Sequence, residues 1–191
     1  MVDPPPDIRH ERSFMTSMRP AAFPIDIRTA RREDVPAIHS MIRALADYEK
    51  LAHLCVATEQ DLEAALFGPR PAAEVLLAWK GGEPAAFALF FHNYSTFLGR
   101  PGLWLEDLYV LPAHRRQGCG QALLRTLAGI ARDRNCGRLE WAVLDWNALA
   151  IGVYESLGAT VLPDWRIVRV VGPALDAMAE GARADPSTPP G

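Results

Sequence analysis

What the 191-residue sequence lacks narrows it before any motif is read. Cysteine is scarce: Cys55, Cys119 and Cys136 are odd in number and have no paired spacing. That pattern excludes a disulfide framework and fits the reducing cytoplasm, which is the expected location. His39, His53, His92 and His114 stand singly. No His/Cys cluster has zinc-site spacing, so no metal is expected. No apolar run approaches transmembrane length and the N-terminus has no apolar signal core, so no membrane partner is expected. Basic residues are not in surplus, with 20 Lys and Arg against 23 Asp and Glu, a net charge of −3 and a pI near 5.9. A nucleic-acid partner needs a basic face, so none is expected as the main partner; any anion site must be local. There is no internal repeat.

Apolar residues make up 49% of the chain, enough for one domain with a full core. Residues 1–24 hold Pro4-Pro5-Pro6, Pro20 and Pro24 among mixed charges, and read as a disordered extension in which Met15 and Met18 are alternative starts. Residues 181–191, with Pro186, Pro189 and Pro190, read as a disordered tail, leaving 25–180 as the folded domain.

The domain is organised around Leu105–Gln121, LEDLYVLPAHRRQGCGQ. An apolar, β-rich run stops at Pro112, a basic glycine-rich loop follows, and then Ala122, Leu123, Leu124, Leu127, Ala128, Ile130 and Ala131 recur with helical spacing. A strand feeding a glycine-rich turn at a helix N-terminus builds an anion site. The first amides of the helix lack intrahelical partners, the helix dipole is positive there, and glycine admits a phosphate to the backbone. Arg115 and Arg116 add charge at the same place. The spacing is not that of a phosphate-binding G-x-x-x-x-G-K-[ST] loop, because no Lys-Ser or Lys-Thr follows. Nor is it a dinucleotide G-x-G-x-x-G, because position 123 is Leu.

Around this centre, Ile25–Thr29 alternates as a strand, Asp34 caps a helix with Pro36 in its first turn, and Thr58 with Asp61 opens a second helix. Glu74–Trp79 and Ala85–Phe91 form a hairpin across Gly81-Gly82, and Leu103–Val110 is the next strand. A helix over 118–134, a strand over 139–144, a helix over 147–157, a strand over 166–171 and a short helix over 173–180 complete the chain. This order gives an α+β fold, with a central mixed sheet covered by helices on both faces.

The segment R-x-x-G-x-G from Arg115 to Gly120 resembles the coenzyme A pyrophosphate loop of the GCN5-related N-acetyltransferases (GNAT). Downstream, Asn147, Ala150, Tyr154 and Gly158 match the family's N-x-x-A-x-x-x-Y-x-x-x-G helix. The L-E-D-L-Y-V-x-P strand, the Y-S-T-x-x-G-R stretch from Tyr94 to Arg100 and the Trp146-Asn147 pair resemble the spermidine/spermine branch, and the thialysine N-acetyltransferases most. The resemblance covers about residues 27–171. It implies acetyl-CoA as cosubstrate and direct transfer to a small cationic amine in a ternary complex, without an acyl-enzyme. It also implies a homodimer; no seam for one is visible in the sequence. Within the class, the alternative is a protein lysine or N-terminal acetyltransferase. From another class, it is a non-catalytic acyl-CoA sensor, against which the retention of Glu106 and Tyr154 argues.

The resemblance further implies that Leu108, Tyr109, Val110, Arg115, Arg116, Gln117, Gly118, Cys119, Gly120, Gln121, Asn147, Ala150 and Tyr154 contact the coenzyme. It makes Tyr154 the proton donor to the departing sulfur, or otherwise a packed helix tyrosine. Amine acetylation needs a deprotonated amine, since an alkylammonium with pKa ~10 has no lone pair. By resemblance Glu106 is the base, acting through water, and Asp107 is a substrate or structural contact; the alternative for either is a salt bridge. Strand alternation sends these two acids to opposite faces. Tyr48 and Glu49 match a substrate-contacting pair, or are a solvated helix end. Asn147 reads as an N-cap in its own right. Cys119 reads as a small apolar residue rather than a nucleophile. Phe97 and Ser95 are poor material for an extended polyamine groove and favour a shorter amine.

Overall fold

The computed structural model describes residues 24–184, which fall into two compact units dividing between Ala142 and Val143. The expected N-terminal extension, apart from Pro24, and the tail from position 185 lie outside the described residues.

The first unit is built on a five-stranded sheet in sequential order, β1 (Ile25–Thr29), β2 (Glu74–Lys80), β3 (Glu83–Ser95), β4 (Arg100–Val110) and β5 (Leu139–Trp141). The first four strands pair antiparallel and β5 joins β4 in parallel, so the sheet is mixed as expected. The β2–β3 turn is Gly81-Gly82, at φ +63° and +86°. Both sit in the left-handed region that a two-residue hairpin turn requires and that glycine enters without strain.

Two helices cover one face. Helix α1 (Val35–Tyr48) buries Val35, Ile38 and Met41, and α2 (Glu59–Phe67) buries Leu62 and Leu66, against Val75, Leu77, Phe87 and Tyr109. Helix α2 starts in the expected box: the Asp61 amide donates to Thr58 Oγ1 at 3.2 Å and the Thr58 amide to Asp61 Oδ2 at 2.9 Å. The alternate residues Leu76, Ala78, Ala86, Ala88, Phe90 and Leu105 are buried on the other face. Helix α3 (Cys119–Asp133) packs along that face through Leu123, Leu124 and Leu127.

The structure departs from the sequence reading in several places. Asp34 makes no side-chain cap to α1. Its carboxylate instead takes a bidentate pair from Arg28 at 2.7 and 2.8 Å and the Arg31 amide at 2.7 Å, which ties β1 to the helix start. Strand β5 has only three paired residues, because the chain leaves the β4 ladder after Leu105 and Trp141. Residues 166–171 form no strand. Their β-branched pattern predicts extended backbone, but a ladder needs a partner edge.

The second unit carries α4 (Ala148–Ser156) and α5 (Pro173–Ala184). Asn147 caps α4, its side chain accepting from the Ala150 amide at 3.3 Å. Helix α5 runs on to Ala184; Ala and Arg continue a helix readily.

The Arg28–Asp34 pair is the polar anchor of the first unit. Asp34 is 5% exposed and its carboxyl is held below the ordinary range, first by the Arg28 hydrogen bond. A carboxyl lowered on folding stabilises above its ordinary range, and that stability is lost as pH falls through it. Asp34→Ala should lower unfolding stability at pH 7 by roughly 2 kcal/mol, a figure reduced from the fully buried case because Arg28 is partly solvated. Urea unfolding at pH 7 and pH 3 checks this: the deficit should shrink in acid, and an equal deficit at both would assign it to packing alone.

Candidate active site

Strand β4 determines the site. On β3 the step from Leu89 to Phe90 is one residue, while their partners on β4 are Asp107 and Leu105, so Glu106 is an extra residue in a bulge. Below it, Leu103 and Leu105 face α3, which puts Trp104 and Glu106 toward α1. Above it, Asp107 pairs with Leu89 and Tyr109 with Phe87, both on the α1 face. The two acids therefore share one face, which corrects the alternation expected from the sequence. The bulge shifts the two-residue period by one.

Their surroundings differ. Glu106 is exposed and its Oε2 accepts from Trp104 Nε1 at 2.7 Å. Asp107 is partly buried, and desolvation raises its carboxyl to about 6, with Glu106 and then Glu49 adding repulsion. Glu49, the C-cap of α1, is itself raised by burial. Three carboxylates thus act at one place on the α1 side of β4. A cation arriving there would relieve all three.

On the other side of β4, pairing to β5 stops at Leu105. From Glu106 to Val110 that backbone edge has no ladder partner among the described residues; apart from the Val110 carbonyl, which Arg115 Nε takes, its polar groups are available to an extended ligand. The strand then passes through Pro112 into the loop before α3. Gly118 is the N-cap of α3 at φ +88°, provides no side-chain cap, and is followed by a first turn without an acid. The amides of Cys119, Gly120 and Gln121 thus face a site suited to an anion. Arg116 lies in the same loop at φ +59°.

Other predicted residues are engaged within the protein. The Gln117 side chain donates to the Ala113 carbonyl at 2.8 Å and accepts from Lys80 Nζ, so only its backbone is open to a ligand. Cys119 is 1% exposed and packs in the core. Arg115 Nε donates to the Val110 carbonyl at 3.1 Å, and the guanidinium lies over Tyr48 and Tyr109. Ser95 is buried and its Oγ accepts from the Leu98 amide at 3.3 Å, forming a turn; Phe97 is 98% exposed. Asn147, Ala150 and Tyr154 lie in the second unit, all on or at the start of α4. Lys80 was missed in the sequence because only the sheet order brings it to the loop. The Trp104–Glu106 bond, between i and i+2 residues on one strand face, is a second contact outside the expected site set.

Residues 38–159 match the acetyltransferase (GNAT) family. The chain belongs to the GNAT family of acetyltransferases. It is accordingly an acetyl-CoA-dependent N-acetyltransferase, as the loop and the α4 motif implied. It is 35% identical to an L-ornithine N5-acetyltransferase of Arabidopsis thaliana, over 80% of this chain and 86% of that one. It is 39% identical to a thialysine N-epsilon-acetyltransferase of Bos taurus, over 80% of this chain and 96% of that one. Among solved structures, an integron cassette protein of Vibrio cholerae shares the fold at TM-score 0.70 and 24% identity, covering 82% of this chain and 98% of that one.

The raised Asp107 carboxyl has a measurable consequence. An acid raised on folding favours the folded state in acid and loses that contribution as pH climbs through about 6. Ionised Asp107 therefore costs stability at neutral pH, up to about 3 kcal/mol at 1.36 kcal/mol per tenfold ratio. Asp107→Asn should be more stable than wild type at pH 7.5, with the gain fading toward pH 4, in urea unfolding. A gain independent of pH would show that burial of the charge is not its source.

Proposed function

We propose that this acetyltransferase acts on the side amine of a short basic amino acid or a short diamine. The observation that carries the reading is the set of Asp107, Glu106 and Glu49, gathered on one side of β4 around a partly buried carboxyl raised to about 6. A neutral or anionic acceptor would leave these charges opposed to one another, whereas an ammonium pairs with them. The relatives named for ornithine and thialysine support the same class. Ser95 and Phe97 form a turn and an exposed tip, giving no acidic extension suited to a long polyamine.

The roles follow from the chemistry. Acetyl-CoA supplies the thioester that the amine attacks. The α3 N-terminal amides and Arg116 hold its phosphates, and the open edge of Leu108–Val110 orients its extended arm. Asp107 and Glu49 hold the incoming ammonium. Glu106, fixed by Trp104 and open to solvent, takes the amine proton through water. The family motif on α4 assigns Tyr154 the proton for the departing sulfur, and Asn147 caps the start of that helix.

The test is a competition among ornithine, lysine, thialysine, short diamines, spermidine and a lysine peptide at fixed acetyl-CoA, with products identified by mass. Short amines should show the highest kcat/KM. Spermidine outrunning all of them would overturn the substrate class, and activity on the peptide alone would make this a protein acetyltransferase. Acetyl-CoA binding without turnover on any acceptor would mark a sensor. In the same assay Tyr154→Phe should lose ~10²-fold in kcat while keeping acetyl-CoA affinity; near wild-type kcat would return Tyr154 to packing.

A further inference from the structure

We propose that Arg115 serves the acceptor side of the site as a positioning residue, and that Arg116 alone of the pair serves the coenzyme phosphates. The inference rests on the acetyl-transfer reading above and concerns how the two halves of that site are joined.

Arg115 opens the R-x-x-G-x-G loop, where sequence alone places it among the phosphate contacts. Its side chain turns away from that role. The Cζ atom lies 4.8 Å from the centroid of the Tyr48 ring and 5.5 Å from that of Tyr109. Nε–H is directed to the Val110 carbonyl at 3.1 Å. One planar guanidinium thus touches the end of α1 and the α1 face of β4 together.

Both contacts lead to the acids. Tyr48 is the last residue of α1, and Glu49, next in the chain, is its C-cap. Tyr109 stands two residues from Asp107 on the same face of β4. Tyr48 is 39% exposed, so burial alone does not fix its ring, and the chain reverses directly after it at Lys50, φ +62°. A cation between the two rings sets the distance between the Glu49 end of the helix and the Asp107 strand. Lysine replaces it poorly, since an ammonium is a compact point charge without a planar face to lie against both rings while donating to the Val110 carbonyl. Arg116 makes no ion pair among the described residues and stands in the loop itself, so its charge is available for a phosphate.

The experiment separates the two arginines. For Arg115→Lys, the KM for the preferred amine should rise about tenfold, while the Kd for acetyl-CoA measured by calorimetry stays within about twofold. For Arg116→Gln the pattern should reverse. A loss of foldedness would lower active-enzyme concentration without splitting the two constants. Tyr48→Leu should reproduce the Arg115→Lys effect, a raised amine KM with acetyl-CoA affinity kept, which keeps the test open if Arg115→Lys does not fold. Amine binding measured directly with coenzyme A present gives the same comparison without turnover. Weakened acetyl-CoA with unchanged amine KM in Arg115→Lys, or no change in either, overturns the proposal while the wild-type activity stands. A wild-type protein that binds acetyl-CoA but neither binds nor acetylates an amine overturns the acceptor reading and this proposal with it.

Discussion

The extra residue in β4 is the constraint on which the rest depends. Without it, Glu106 and Asp107 would alternate, and one acid would point into the apolar packing under α3 with no partner there. With it, Leu103 and Leu105 still face α3 below the bulge, Tyr109 faces α1 above it, and both acids reach the same side. Bulges re-aim side chains in this way at functional sites, at the expense of one unpaired ladder position. The parting of β5 from β4 occurs at the same level, after Leu105. One short stretch of strand therefore presents acids on a face and an open backbone edge beside it.

The electrostatic arrangement divides the same way. Negative groups, Asp107, Glu106 and Glu49, belong to the α1 side of β4. Positive character, from the α3 N-terminus, Arg116 and Lys80 bonded to Gln117, belongs to the loop that follows it. On the proposed reading, a cationic acceptor and an anionic coenzyme are drawn to different places along one strand and loop. Three carboxylates near one another, one of them partly buried, are unfavourable in the free protein. That cost is a reason to expect a ligand of opposite charge, because a structural role would have called for a neighbouring arginine in ion-pair contact with Asp107.

Much of this was legible in the sequence. Local rules with short range served well: the Thr58–Asp61 box, the Gly81-Gly82 turn, the Asn147 cap and the glycine loop before α3 all stand where the residues imply. What was not legible depends on pairing between distant segments. The bulge at Glu106 exists only in the register of β4 against β3, so alternation along β4 alone gave the wrong face. Asp34 has the spacing of a cap, yet Arg28, six residues earlier on β1, takes its carboxylate. Residues 166–171 have the composition of a strand, and composition does not supply a partner edge. Arg115 reads as one of two equivalent loop cations until the end of α1 is brought beside it.

The central claim is that the shared face of Asp107, Glu106 and Glu49 receives the acceptor as a cation. Calorimetric titration of a short amine into the coenzyme A complex at pH 6, in buffers of different ionisation enthalpy, tests it most directly. Binding of an ammonium should drive Asp107 to its ionised form and release about half a proton near its free value of about 6. The release should vanish by pH 8 and in Asp107→Asn. Binding with no proton release at pH 6, or release undiminished in Asp107→Asn, would contradict the account.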